Sequence, residues 1–154
     1  MLAVHPDAEL CVVGDGTDRA RLESRAEAAG LGASITFLGR VDDDTLARLY
    51  RQSRFFVMPS RDEGFGLVFL EAMRAGKACI GGRGAAAEII VHGSTGLIVD
   101  PSDAGEIARA VTSLFDDPDA CRRLGHAGQL RFQTMFTDAQ FRSRLLDALA
   151  PTCS

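Results

Sequence analysis

The sequence predicts an α/β chain in which helices wind over both faces of a parallel sheet, and three observations predict it. Five short apolar runs, 10–13, 34–38, 55–58, 78–81 and 95–99, have the length of strands rather than helices. Each is closed by glycine, by proline or by Asp100-Pro101, and a helical pattern separates each run from the next. After about residue 102 the strands stop and helical periodicity alone remains. Parallel neighbours need a long crossover, which a helix supplies, so strands alternating with helices at this interval give a doubly wound sheet of about five strands with a helical C-terminal tail.

Met1 to Asp7 contains Pro6 and reads as the tail of a helix or a linker. Leu10 to Val13 is the first strand, ending at Gly14-Asp15-Gly16. Thr17 is placed to cap a helix with Leu22, Ala26 and Ala29 on one face, and Gly30-Leu31 has the form of a Schellman end. Ser34 to Leu38 is the second strand, closed by Gly39. Asp42 then caps a helix running to Ser53, with Val41 and Leu46 as a hydrophobic staple. Phe55 to Met58 is the third strand, Leu67 to Ala75 the central helix, and Gly76 its stop. Ala78 to Gly81 is the fourth strand, followed by Gly82-Arg83-Gly84 and a short helix from Ala85 to Val91; Thr95 to Val99 is the fifth. In the tail, Ser102 or Asp103 starts a helix that turns Ile107, Val111, Leu114 and Phe115 inward. Asp117-Pro118 starts the next, and Thr137-Asp138-Ala139-Gln140 is a capping box for the last.

The chemistry concentrates in the turn from Pro59 to Gly66 and the helix behind it. A strand, a glycine-rich turn and a helix N-terminus leave free backbone N–H groups at the carboxyl edge of a sheet, where the helix dipole favours an anion such as phosphate. Gly64 and Gly66 let the backbone approach a ligand closely. From Gly66 the chain is apolar at nearly every position, so its one carboxylate, Glu71, stands out, as does Glu63 in the turn. A buried carboxylate without a partner costs several kcal/mol or shifts its pKa. Either Glu71 pairs with a neighbouring Arg or backbone donor and the turn is only a tight turn, or both carboxylates accept hydrogen bonds from ligand hydroxyls on either side of a diphosphate.

Composition narrows the class. The chain has 154 residues, 46% hydrophobic and 25% charged, with a net charge of −4, which argues against nucleic acid as the main partner. Lys77 is the sole lysine. No run approaches the length of a membrane span, and no basic-then-apolar leader opens the sequence. Cys11, Cys79, Cys121 and Cys153 lack metal-ligand spacing; Cys11 and Cys79 fall in predicted strands, where a free thiol serves as a small apolar side chain. The reading is a reduced, metal-free, cytoplasmic protein.

Glu63 and Glu71, eight positions apart around Gly-Phe-Gly-Leu, resemble the paired-glutamate motif of retaining glycosyltransferases of family 4, which have the GT-B fold. The resemblance continues in order through Val12-Val13-Gly14-Asp15-Gly16, Phe37-Leu38-Gly39-Arg40-Val41, Ala87-Glu88-Ile89-Ile90 and His92 to Val99, and covers almost the whole chain. It implies a Rossmann-like donor-binding domain spanning 1–154, the C-terminal half of a GT-B fold. The family's central first strand, with its phosphate-binding Arg and Lys, and its acceptor-binding N-terminal domain would lie outside the chain. Without that strand, the 10–13 and 55–58 strands are expected either to leave a gap or to pair directly.

The implied activity is metal-independent transfer of a sugar, with retention, from a UDP-, GDP- or ADP-sugar to an acceptor hydroxyl. No cofactor is implied beyond that donor. In the implied roles, Glu63 is catalytic and takes the donor sugar's hydroxyls, and Glu71 takes the ribose. The amides of Gly64, Phe65, Gly66 and Leu67 take phosphate or sugar, while Gly14, Gly16, Gly39, Arg40 and Val41 border the nucleobase. A sugar or lipid-linked acceptor would belong to the missing domain, and a lipid-linked one would bring the intact enzyme to the inner face of the membrane. The isolated chain is expected to be inactive.

Other candidates are weaker. Lys77 precedes the fourth strand, at the amino edge, whereas ligands of such sheets bind beyond the carboxyl edge. Arg61 and Arg83 lie at the correct edge, as phosphate contacts or as solvated loop residues. Glu88 reads as structural, and His5, His92 and His126 read as surface or loop residues. Two readings from other classes stand beside the transferase: a non-catalytic nucleotide-binding module, and a receiver-like signalling domain. The latter is disfavoured because Asp15 and Asp62 lie in turns and Lys77 is at the wrong edge.

Overall fold

A computed structural model describes residues 5–61 and 64–149 of the chain. The elements are β1 (Leu10–Val13), α1 (Arg19–Ala28), β2 (Ile35–Gly39), α2 (Asp43–Gln52), β3 (Phe55–Met58), α3 (Leu67–Arg74), β4 (Ala78–Gly82), α4 (Ala85–Ile89), β5 (Gly96–Val99), α5 (Ala104–Asp116), α6 (Pro118–Met135) and α7 (Asp138–Leu149). They fall into two compact units, 1–49 and 50–154.

In the first unit β1 and β2 run parallel, Leu10 opposite Ile35 and Val12 opposite Phe37, with a bulge between Val12 and Val13. Helix α1 ends as the sequence suggests. Gly30 adopts φ +69, Leu31 N donates to Ala26 O and Gly30 N to Glu27 O, the two bonds of a Schellman end. Its start differs. Asp18, not Thr17, holds the N-cap position and no side chain caps it, because the Asp18 carboxylate is bound to the Arg21 guanidinium. Asp42 does cap α2, accepting from Thr45 N at 2.7 Å. The unit's interior is thin: Ala8 and Ala26 are buried, while Leu10, Val13, Leu22 and Leu38 are exposed. Cys11, read as a small apolar strand residue, is exposed as well.

In the second unit β3, β4 and β5 form a parallel three-stranded sheet in that order, Phe55 opposite Ala78 and Cys79 opposite Gly96. Every residue of β4 is buried, as a strand covered on both faces must be. Its side chains alternate between two cores. Cys79 packs with Phe69, Ala72 and Met73 of α3 and with Ala86 and Ile89 of α4. Ala78 and Ile80 pack with Ala110 and Leu114 of α5 and Cys121 of α6. Helices on both faces make the unit doubly wound. Within the first unit β1 is hydrogen-bonded to β2, and within the second β3 to β4.

Local chemistry sets the remaining boundaries. Gly76, at φ +72, ends α3 with a second Schellman pair, Lys77 N to Ala72 O and Gly76 N to Met73 O. Asp103 accepts from Gly105 N and Glu106 N at the start of α5, and Asp117 from Ala120 N at the start of α6, where Pro118 takes the first helical position. Gln140 N donates to Thr137 Oγ1 at the start of α7. Arg131 of α6 donates from Nε to Ile89 O at 2.8 Å and so satisfies the end of α4.

Candidate functional site

In the first unit, the loops after β1 and β2 meet. Gly14, at φ +115, donates its N–H to Gly39 O at 2.7 Å, joining two predicted base-side segments 25 positions apart in sequence. Gly39 is buried at φ +67, and a Cβ built on it would lie 2.7 Å from Arg19 Nη1. That arginine, unremarked in the sequence, also donates to Phe37 O at 3.0 Å and pairs with Glu23 at 2.8 Å, so it buttresses the carboxyl end of β2. Gly16 N is taken by the Asp15 carboxylate at 2.9 Å. Arg40 is exposed and Val41 half-buried.

In the second unit, the turn after β3 leads into α3 at the carboxyl edge of the sheet. Gly66 is the N-cap residue, in the left-handed region at φ 66 and ψ 23, and among the described residues no side chain caps the helix. The glycine is required twice over. L side chains pay for that backbone conformation, and a Cβ there would stand 2.7 Å from Ile89 Cδ1 and 3.3 Å from Phe69 Cδ2. Phe65 is 84% exposed and Leu67 62%, so two large apolar side chains flank the glycine in the open, with Gly64 exposed before them. Helix α3 buries Phe69, Ala72 and Met73 and leaves Leu67 in the open. Glu63, with Asp62, lies outside the described residues.

Glu71 is half-buried on the second turn of α3. Among the described residues its partner is not an arginine but the Tyr50 hydroxyl, which donates to Oε2 at 3.1 Å; Val68 O is a second acceptor at 3.3 Å. Burial, then the Glu71 charge, push the Tyr50 phenol well above its ordinary value, so it remains a donor. Sequence reasoning missed Tyr50 because it stands 21 positions upstream of Glu71, at the end of a different helix.

Arg83 and Lys77 are both engaged. Arg83 pairs with Asp100 at 3.6 Å, and the loop carboxylate is held below its usual range first by the Ser102 N–H and then by Arg83. Lys77 Nζ donates to Arg51 O at 2.8 Å and Ser53 O at 2.7 Å. It lines an open cavity of about 390 Å³ with Arg54, Gly76, Pro118, Cys121 and Arg122, at the amino edge of β3 and β4 and away from the glutamate turn. That cavity is not the candidate site, since Arg54 is spent on Phe115 O and Arg122 on Asp119 as well. His92 is exposed yet structural, its Nδ1 accepting from Ile98 N at 2.9 Å. Among the described residues no helix is long and apolar enough to cross a membrane.

In each unit parallel strands alternate with helices, the pattern of a Rossmann-like α/β fold. The family follows from comparison: residues 2–131 match the model of the glycosyl transferases group 1, and the chain belongs to that family. It is 36% identical over 136 residues to D-rhamnosyltransferase WbpZ of Pseudomonas aeruginosa, a match covering 85% of this chain and 35% of the relative. It is 37% identical over 130 residues to the GDP-mannose-dependent alpha-(1-6)-phosphatidylinositol monomannoside mannosyltransferase of Mycobacterium tuberculosis, covering 79% and 34%. Among solved structures it is similar to the C-terminal domain of a glycosyl transferase group 1 family protein from Francisella tularensis, with TM-score 0.82 and 30% identity over 89% of this chain and 74% of that one. The fold is therefore that of the C-terminal half of a GT-B enzyme. The chain spans about a third of the length of the curated relatives it matches.

Proposed function

We propose that this chain is the donor-binding part of a retaining, metal-independent glycosyltransferase that takes a sugar from a nucleotide-diphosphate donor to an acceptor hydroxyl. The observation that carries the reading is the pairing of a left-handed glycine N-cap with a held carboxylate on the same helix. The α3 N-terminus, uncapped by any described side chain, suits the donor diphosphate and the negative charge that grows on it as the glycosidic bond breaks. Glu71 accepts from the ribose hydroxyls. Glu63 takes the donor sugar's hydroxyls, the amides of Gly64 to Leu67 take phosphate or sugar, and Gly14, Gly16, Gly39, Arg40 and Val41 border the base. The GDP-mannose dependence of the mycobacterial relative supports a nucleotide-sugar donor. By itself the chain is expected to show no turnover, because it spans only about a third of its relatives' length and the rest of such an enzyme would help to position the acceptor.

Calorimetry with UDP and GDP on the 154-residue chain and its Glu71→Ala variant tests the reading. Hydrogen bonds to a charged group are worth about 1.5–3 kcal/mol, so the variant is expected to bind the preferred nucleotide about 10- to 100-fold more weakly. Equal affinities in the two proteins would remove Glu71 from the site.

A further inference from the structure

We infer that Tyr50 is a positioning residue for this site: it fixes one oxygen of Glu71 so that the other is presented to the ribose of a nucleoside diphosphate. The inference rests on the donor-binding reading and extends it to a residue outside every motif that led there.

A phenol carries one proton, and two acceptors stand within its reach: Glu71 Oε2 at 3.1 Å and Val68 O at 3.3 Å. The carboxylate is the nearer of the two and the charged one, and a charge-assisted bond is roughly twice as strong as a neutral one, so the proton goes to Glu71. The ring that carries the hydroxyl is itself held. Tyr50 stands edge-on to Phe56 with centroids 5.7 Å apart, and Phe56 edge-on to Phe69 at 5.5 Å. Phe69 is fully buried in α3, on the same helix as Glu71. The hydroxyl is thus referenced to the helix core and not to a solvated loop. A glutamate has three side-chain torsions to freeze before it can receive a ligand, and that rotamer entropy opposes binding when none is frozen beforehand. Tyr50 freezes them in the folded protein, which is preorganisation. Among the described residues no other donor is recorded on this carboxylate, so Oε1 is left for a ligand hydroxyl.

Tyr50→Phe keeps the ring, its edge contacts and its burial, and removes only the proton that Glu71 receives. The measurement is calorimetric affinity for UDP and GDP in four proteins, wild type, Tyr50→Phe, Glu71→Ala and the double variant, with melting temperatures taken alongside. Tyr50→Phe is expected to weaken binding about 3- to 10-fold, the span of one net hydrogen bond. In the Glu71→Ala background the same change has no further effect on affinity, because Tyr50 acts only through that carboxylate. A 2′,3′-dideoxy nucleoside diphosphate binds wild type and Tyr50→Phe equally. A purely structural tyrosine would weaken all ligands alike and would do so in either background; that pattern overturns the inference, as does wild-type affinity in Tyr50→Phe. If Glu71→Ala binds as wild type does, or if wild type binds neither nucleotide, the donor-site reading itself falls and takes this inference with it. A weakened Glu71→Ala beside an unaffected Tyr50→Phe refutes the tyrosine's part alone.

Discussion

At Gly125 two elementary tendencies oppose each other, and the geometry decides between them. Inside a helix, alanine is favoured over glycine by about 0.8–1 kcal/mol, so propensity alone makes Gly125→Ala stabilising. A Cβ at that position, however, would overlap the Gly76 carbonyl oxygen and stand 3.0 Å from Ala78 N. Both are backbone atoms of the connection into β4 and cannot swing aside. Gly125→Ala is expected to destabilise by about 2–3 kcal/mol in urea titrations. Gly32→Ala, whose added methyl would meet only Glu27 Cγ at 3.8 Å, stays within about 0.5 kcal/mol. A more stable Gly125→Ala would show that α6 does not lie this close to the sheet. The contrast between Glu71 and Tyr50 shows which residues of the site were legible in sequence. A lone carboxylate in an apolar helix is conspicuous because its burial needs a reason. A tyrosine on an amphipathic helix is not, since nothing local distinguishes a core ring from one whose hydroxyl has a task.

Among the elements, the caps separate what sequence shows from what it hides. Asp42, Asp103 and Asp117 each accept a backbone N–H, as their positions before helical patterns suggest. Thr17 fails because the helix begins at Arg19, and Asp18, at the cap position, gives its carboxylate to Arg21 instead. A competing side-chain partner three positions away outweighs the usual capping preference, and no pattern of types reveals which will win. Replacing Asp103 or Asp117 by alanine is therefore expected to cost about 1 kcal/mol each, and Thr17→Ala nothing measurable, by denaturant unfolding at neutral pH. A loss at Thr17 equal to that at Asp117 would reinstate Thr17 as the cap. The strands were legible for a different reason. Apolar runs of four or five residues between glycines and prolines are too short for helices, and their alternation with helices implies parallel pairing. Which strands are hydrogen-bonded to which was not legible, because a ladder is a contact between segments distant in sequence and the runs carry no label for their neighbours.

For the molecule as a whole, the buried titratable groups of the 50–154 unit set how its stability depends on pH. Cys79 is fully buried between β4 and the helices α3 and α4, and burial pushes its thiol up to about 12 from an ordinary value near 9.0. The folded chain keeps this proton where the unfolded chain releases it, so above about pH 9 unfolding is coupled to proton loss and stability falls as pH rises. Below that pH both states are protonated and the contribution is constant. Cys121 and Tyr50 are shifted upward chiefly by burial and act with the same sign. Lys77 is shifted downward by burial, so the folded state sheds its proton first and stability gains with pH. One group of that sign does not offset three of the other. Urea midpoints of wild type and Cys79→Ala are therefore expected to diverge in slope. Cys79→Ala starts lower at pH 7, having lost a packed side chain, but between about pH 9 and 10.5 the wild type loses up to about 1.4 kcal/mol more per pH unit. Parallel pH curves for the two proteins would mean that the Cys79 thiol ionises in the folded state as readily as in the unfolded one, and that the core around β4 admits water.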